Sequence, residues 1–288
     1  MKQSPVIKIS VIIPSYKPQN YVWECLDSMV SQTLSRDVFE VIVVLNGCCE
    51  PWQTEMTAYI DQKMKGMQVV FVQTDQPGVS NARNIALDRA RGEYITFIDD
   101  DDFVSPSYLE ELLKQATPDT ISLCYPYAFN DGAPDVQLPF AITDAYEYGV
   151  SRDKVRLTSK VRKYFSGPWM KLIPMSFIQD RRFDVRFKNG EDSLFMFLIS
   201  DKFKSFSFTD RNAIYYRRWR INSAYLRKRD RKEKILNNWQ LVRAYCAIYF
   251  SHPCSYSFVF FQTRILGAVL GDWMYRTKKC LLKMGSNK

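Results

Sequence analysis

Four short β-branched runs, separated by stretches of helical spacing, occupy the first hundred residues and leave few folds open. Residues 8–13 (Lys-Ile-Ser-Val-Ile-Ile) form the first run, ended by Pro14. Residues 39–45, 68–73 and 93–98 form the other three. Between them, residues 20–31, 52–65 and 80–91 carry helical spacing, the last closed by Gly92 as a C-cap glycine. Repeated strand-helix-strand units predict an α/β fold, a mostly parallel sheet with helices on both faces. In such sheets ligands bind beyond the C-terminal strand ends. Those ends are Pro14-Ser15-Tyr16, Asn46-Gly47 and the residues after Ile98.

The pattern then changes. Residues 125–210 hold Pro126, Pro134, Pro139, Pro168 and Pro174 among many aromatics, and read as α+β elements built onto the sheet. From Arg227 a run of charge leads into Ile235, Trp239, Val242, Cys246 and Tyr249, the spacing of an amphipathic helix. Phe258, Phe261, Ile265 and Val269 suggest another. The chain therefore divides into residues 1–125, an α/β half, 126–226, a less regular half built onto it, and 227–288, a basic helical extension.

Charge is spread unevenly along the chain. The net charge is +9, but residues 211–288 carry 17 basic and 3 acidic groups, a net of +14. The front is therefore acidic. Basic residues beside aromatic helices fit an anionic membrane surface, although packing on the domain or a dimer contact would use the same features. Nucleic acid is not an expected partner, because the acidic front repels phosphates. The single histidine, His252, precedes a proline in the tail, which argues against a Ser-His-Asp triad or a His-rich zinc site. Seven cysteines without a C-x-x-C pair fit reduced thiols and a cytoplasmic setting. The uncharged stretch 244–263 is broken by Ser251, His252, Pro253, Ser255 and Ser257, so a spanning helix is not expected there. A peripheral position on the cytoplasmic membrane face remains compatible with the tail.

Two segments carry chemistry. Asp99-Asp100-Asp101-Asp102 directly follow a buried-type strand. Like charges at this density cost stability unless a cation offsets them, and carboxylate oxygens suit Mg²⁺ or Mn²⁺. A solvated acidic turn is the plainer alternative. Residues 78–84 (Gly-Val-Ser-Asn-Ala-Arg-Asn) open a helix whose N-terminus favours anions, with Arg83 one turn in. The plainer alternative is a helix capped by Ser80.

These segments appear in one order. Ile-Ser-Val-Ile-Ile-Pro-Ser-Tyr (9–16), the run ending Asn46-Gly47, residues 78–84 and Arg-Gly-Glu-Tyr-Ile-Thr-Phe-Ile-Asp-Asp-Asp-Asp (91–102) come first. Gly-Glu-Asp-Ser-Leu-Phe (190–195) and Tyr-Tyr-Arg-Arg-Trp-Arg-Ile-Asn-Ser (215–223) follow. Across residues 7–225 the set resembles the family 2 glycosyltransferases of the GT-A fold. The resemblance implies inverting transfer of a sugar from a nucleotide-diphosphate donor, usually a UDP-sugar, to a saccharide or lipid-linked glycan. It implies Asp101 and Asp99 as ligands of Mn²⁺ or Mg²⁺, in a register blurred by Asp100 and Asp102. It implies Asp192 as the general base, with Glu191 beside it orienting the acceptor or trading roles with it, where the plainer role is charge at a helix start. Donor contacts are expected from Pro14, Ser15, Tyr16, Arg83, Asp99 and Asp100. The family's acidic pair after the second strand is replaced by Val44-Leu45-Asn46, which leaves the Asn46 amide to meet the base.

Of Arg217, Arg218 and Arg220, one is expected to clamp the diphosphate. Strand alternation puts Arg218 and Arg220 on one face and Arg217 on the other, and Arg218 is the candidate. Trp169, Lys171 and Trp219 are the candidate acceptor contacts. A nucleotidyltransferase on a similar sheet is the competing reading, but Pro-Ser-Tyr-Lys-Pro (14–18) lacks the glycines of a phosphate loop.

Overall fold

A computed structural model describes residues 6–152, 155, 157–220 and 230–270. Its contacts divide the chain into two compact units, Met1–Leu226 and Arg227–Lys288.

The first unit is built on a seven-stranded sheet. Strands β1 (Ile9–Ser15), β2 (Phe39–Asn46), β3 (Gln68–Thr74) and β4 (Tyr94–Phe97) alternate with helices α1 (Tyr21–Val30), α2 (Trp52–Lys63) and α3 (Val79–Leu87). β1 pairs in parallel with β2 and β4, and β2 with β3. Both β1 and β2 are buried along their whole length, which explains why they read as unbroken apolar runs rather than alternating ones. The register sets Ser15 beside Leu45 and Leu45 beside Gln73, so the three strands end together on one edge.

Gly92 does not cap α3, which ends four residues earlier than its spacing suggests, at Leu87. Its lack of a side chain serves a close approach instead: a Cβ there would lie 2.5 Å from the Ser10 backbone nitrogen. Glu40, fully buried on β2, accepts hydrogen bonds from the Ser10 hydroxyl (2.7 Å) and the Arg91 backbone N–H (2.7 Å). The loop before β4 is thereby pinned at the edge opposite the ligand end.

Beyond Phe97 the chain forms β5 (Phe103–Val104), α4 (Tyr108–Lys114), β6 (Thr120–Leu123), β7 (Tyr125–Asn130), β8 (Ala133–Gln137) and α5 (Ala141–Val150). A 3₁₀ turn (Val161–Ser166), β9 (Lys171–Pro174), α6 (Met175–Ile178), α7 (Glu191–Leu198), β10 (Ser205–Phe208) and β11 (Ile214–Trp219) complete the unit. The full order of the large sheet is β10-β6-β9-β4-β1-β2-β3. β9 runs antiparallel between β4 and β6, so the sheet crosses residue 125 and joins both parts of the first unit. A second sheet, ordered β5-β11-β7-β8, starts right after the acidic run. Its β5 pairs antiparallel with β11, Tyr215 opposite Val104, and carries residues 99–104 to residues 214–220.

In the second unit, α8 (Arg231–Ser251) is followed by helical residues 258–270. Tyr249 stacks on Phe261 with ring centroids 4.3 Å apart. The face of α8 that is buried carries Leu241 and Tyr245, not the stripe that its spacing marks out. Ile235 and Trp239 of that stripe are exposed, as are Leu236 and Phe250. Among the described residues no helix is long and apolar enough to cross a membrane.

Candidate active site

The site lies where β1, β2 and β4 end. Asp99 to Asp102 form a turn closed by the Asp102 N–H donating to the Asp99 carbonyl (3.0 Å). Each carboxylate meets a different element. Asp100 accepts the Ser15 hydroxyl at 2.6 Å, from the end of β1. Asp101 forms an ion pair with Arg220 at 2.5 Å. Asp102 is buried and accepts the Arg218 backbone N–H at 2.7 Å. Asp99 accepts Arg83 at 2.9 Å. The Tyr215 hydroxyl accepts the Asp99 N–H at 3.2 Å and holds the start of the turn.

Four carboxylates this close leave the local charge unbalanced. Burial, and then the charge of Asp101, raise the Asp100 carboxyl to about 7. Asp101 is raised by burial and by Asp99, against the pull of Arg220. Asp102, deepest of the four, is pushed well above the usual carboxylate range by burial and by Asp101. Oxygens of Asp99, Asp101 and Asp102 lie within 4.8 Å of one another. Hard oxygen donors in an over-acidic cluster fit a divalent cation such as Mg²⁺ or Mn²⁺.

The second half of the site arrives from 90 residues away in sequence. Gly190, in the left-handed region at φ 82°, starts α7 and sets Glu191 and Asp192 in its first turn. The Arg83 guanidinium, only 2% exposed, donates to Asp192 at 2.5 Å and to Asp99 at 2.9 Å. One buried cation therefore joins the acidic turn to the start of α7. Burial works against the Arg83 charge, but Asp192 and Asp99 outweigh it and raise its pKa. Burial raises the Asp192 carboxyl too, opposed by Arg83. Glu191 is more deeply placed. Its Oε2 has no hydrogen-bond partner, and burial together with the Asp192 charge raises its pKa to about 7.

Not every residue expected to face a ligand does so. Asn46, 3% exposed, donates its amide N–H to the Ser15 carbonyl (2.6 Å) and accepts the Gly78 N–H (2.9 Å). Its amide is saturated within the protein, because a buried amide must be paired, and it stitches the ends of β1 and β2 to the start of α3. Arg83 is occupied by its two carboxylates rather than open to a base or phosphate. Arg218 has a side chain 7% exposed, paired with Glu24 and Asp131, and its Nε donates to the Asp101 carbonyl (2.9 Å). It braces the acidic turn from behind. Lys171 is fully buried and donates to the carbonyls of Gly167 (2.7 Å) and Trp169 (2.5 Å), so it shapes the loop rather than touching an acceptor. Ser80 caps nothing: it lies inside α3 with its hydroxyl buried and unpaired, and the N-cap residue is Gly78. Pro14 and Ser15 are buried in β1, whereas Tyr16 is 52% exposed at the mouth of the site. Trp169 is largely buried and Trp219 is 39% exposed.

Other contributors were hidden. Tyr21 lies beneath the Arg220 guanidinium, 4.3 Å from its ring centroid. The Asn84 side chain donates to the Phe183 carbonyl and accepts its N–H, both at 2.8 Å. That clamp fixes the segment leading to α7, and nothing local in either sequence announces it. Arg220 was legible, since alternation along β11 puts it on the side of Arg218.

Residues 10–173 match the profile of glycosyl transferase family 2. The chain belongs to that family. As a family 2 glycosyltransferase, it resembles the glycosyltransferase GlyA of Streptococcus pneumoniae, 29% identical over 209 residues, or 68% of this chain and 29% of GlyA. It is 32% identical over 109 residues to the Staphylococcus aureus poly(ribitol-phosphate) beta-N-acetylglucosaminyltransferase TarS, covering 37% of this chain and 18% of TarS. The chain thus spans a minor part of either relative. The structure of S. aureus TarS 1-349 in complex with UDP-GlcNAc superimposes with a TM-score of 0.72 at 20% identity, covering 92% of this chain and 73% of that one. A mannosyltransferase of Pyrobaculum calidifontis, solved with GDP-Man and Mn2+, gives a TM-score of 0.62 at 14% identity, covering 99% and 77%. These structural likenesses establish the GT-A fold.

Proposed function

We propose that this family 2 glycosyltransferase is an inverting, metal-dependent enzyme that transfers a sugar from a UDP-sugar to a hydroxyl of a saccharide or lipid-linked glycan. The observation that carries the reading is the Arg83 bridge, which sets a carboxylate at the head of α7 against the acidic turn at the donor end of the sheet. The UDP-GlcNAc and GDP-Man complexes of proteins sharing the fold support a nucleotide-sugar donor. The name of TarS, a transferase acting on a poly(ribitol-phosphate), supports a polymeric acceptor.

Asp99, Asp101 and Asp102 would hold the cation, which supplies positive charge to a leaving diphosphate. Asp192 takes the proton of the attacking hydroxyl, as a carboxylate within reach of the acceptor can. Arg83 opposes the rise that burial imposes on the Asp192 carboxyl and holds it toward the acidic turn. Glu191, one residue earlier, orients the acceptor. Tyr16, exposed beyond β1, offers its ring to the base, and Arg220 holds Asp101 in place. The basic extension, with its exposed Trp239 and Phe250, rests on an anionic membrane surface and keeps the enzyme near a lipid-linked acceptor.

Replacing Asp192 by Asn should abolish transfer while UDP affinity, measured calorimetrically with Mn²⁺, stays within about twofold, a change below 1 kcal/mol. Replacing Asp101 by Ala should weaken that affinity and remove its sensitivity to EDTA. Equal loss of binding and transfer in Asp192→Asn would reject the base assignment. UDP affinity indifferent to both EDTA and Asp101→Ala would reject the metal assignment.

A further inference from the structure

Three arginines follow one another on and after β11, and their surroundings differ. Arg218 and Arg220 are held by carboxylates. Among the described residues the Arg217 guanidinium makes no hydrogen bond or ion pair, and its charge reaches the buried Asp102 only through space, opposing the rise of that carboxyl's pKa. It lies among aromatic rings instead, 4.7 Å from the ring centroid of Trp169, 5.5 Å from Phe140 and 5.8 Å from Trp219. Rings stacked against a guanidinium stabilise its charge while leaving the in-plane N–H edges free. Those edges form a planar fork suited to an oxyanion.

The location ties this cation to the site. By alternation Arg217 shares a strand face with Tyr215, whose hydroxyl accepts the Asp99 N–H. Trp169 bridges to Phe97, two residues before Asp99. The wall is also preformed. A Cβ on Gly167 would lie 2.5 Å from the Trp169 indole, so the ring rests directly against the Gly167 backbone. The buried Lys171 ammonium fixes the carbonyls on either side of that contact. Trp219, on the same strand face, is 39% exposed. An indole beside a guanidinium that makes no ion pair among the described residues is suited to a sugar ring that bears a negative charge. The elements involved, β11, α5 and the loop before β9, all follow the acidic turn in sequence, whereas the strand ends assigned to the donor precede or include it. At the far end of α5, Arg152 and Lys160 both lie over the Tyr148 ring, at 3.8 and 4.6 Å, and neither pairs with a carboxylate among the described residues. The acceptor-side elements therefore carry a second surplus of cations.

We propose that Arg217, walled by Trp169, Trp219 and Phe140, is an acceptor subsite that selects a saccharide carrying an oxyanion, either a phosphate or a carboxylate. The proposal rests on the glycosyltransferase reading and names its acceptor class. The guanidinium fork takes the oxyanion, and the exposed indole of Trp219 covers the adjoining sugar ring.

The test uses the full chain. Glucose 6-phosphate, glucuronate and glucose are titrated by tryptophan fluorescence into the wild type, Arg217→Gln, Arg217→Lys and Trp219→Ala, with UDP and Mn²⁺ titrated into each in parallel. At least one charged sugar should bind the wild type about tenfold more tightly than glucose, the worth of one charge-assisted contact. Arg217→Gln should lower that ratio to near one, Arg217→Lys should keep part of it, and Trp219→Ala should weaken all three sugars together. UDP affinity should be unchanged throughout, which also shows that the variants fold. Preference for glucose 6-phosphate assigns a phosphate-bearing acceptor, and preference for glucuronate a uronate-bearing one. A wild-type ratio near one, or UDP affinity that falls with sugar affinity in both Arg217 variants, overturns the proposal. A wild type that binds the charged sugars but no UDP would instead overturn the donor reading and leave the anionic subsite standing.

Discussion

Arg83 and Glu191 show how burial decides what a charged side chain does. Arg83 is almost wholly enclosed, so it serves the two carboxylates that reach it, Asp99 and Asp192. A buried charge left without partners costs about 3–5 kcal/mol, which makes Arg83 a fixed brace rather than a mobile ligand contact. Glu191 is the opposite case, a buried carboxyl with one unpaired oxygen. Its pKa rises from an ordinary 4.5 to about 7. Between those values the folded protein keeps a proton that the unfolded chain has released. Its contribution to stability is therefore lost as pH rises through that window, by roughly 1–3 kcal/mol once the coupling to Asp192 is allowed for. Glu191→Gln should raise the Tm by a few degrees at pH 8 and barely change it at pH 5. An equal shift at both pH values, read by scanning calorimetry, would show that the proton is not the cause.

At the scale of elements, the ends of β1, β2 and α3 behave as one piece because Asn46 joins them. The family's acidic residues are missing at this strand end, and the sequence leaves the amide free to meet a base. In the fold that amide lies between the Ser15 carbonyl and the Gly78 N–H. Asn46→Ala should cost about 1–3 kcal/mol, the penalty for unpairing buried polar groups, and should weaken UDP binding by loosening Ser15 and Gly78. Asn46→Asp should not rescue it, since a carboxylate would face the Ser15 carbonyl. Urea unfolding and UDP calorimetry measure the two effects, and unaltered UDP affinity in Asn46→Ala would separate the stitch from the donor site. The same scale explains the helix boundaries. The spacing extends α3 to Arg91, but Gly92 must pack against the Ser10 backbone, so the helix stops at Leu87.

For the whole molecule, the distribution of charge matters more than its sum. The +9 net charge conceals a nearly neutral first unit, with 27 basic and 28 acidic groups in residues 1–226, and a strongly basic extension. α8 exposes Ile235, Leu236, Trp239 and Phe250, with Arg231, Lys232 and Arg243 on the same helix. Each basic residue near an anionic surface contributes about 1 kcal/mol, and salt screens it. The chain should co-sediment with phosphatidylcholine vesicles containing phosphatidylglycerol at low salt, and release at high salt. Trp239→Ala with Phe250→Ala should reduce the bound fraction severalfold. Absence of binding to such vesicles at low salt would assign the exposed face to another contact.

The sequence by itself determined the alternation of strands and helices, the edge where ligands bind and the carboxylates of the acidic turn. These are local properties: period, turn chemistry and charge density are written in consecutive residues. Only the tertiary structure decided the partners. Asp192 meets Arg83 across 109 residues and Arg220 meets Asp101 across 119. Asn46, Arg218 and Lys171 turn inward, while among the described residues Arg217 makes no ion pair and lies among aromatic rings. An arginine looks the same in sequence whether it braces a turn or waits for a ligand. Which it does depends on the groups that distant segments bring to it, and on how much water remains when they arrive.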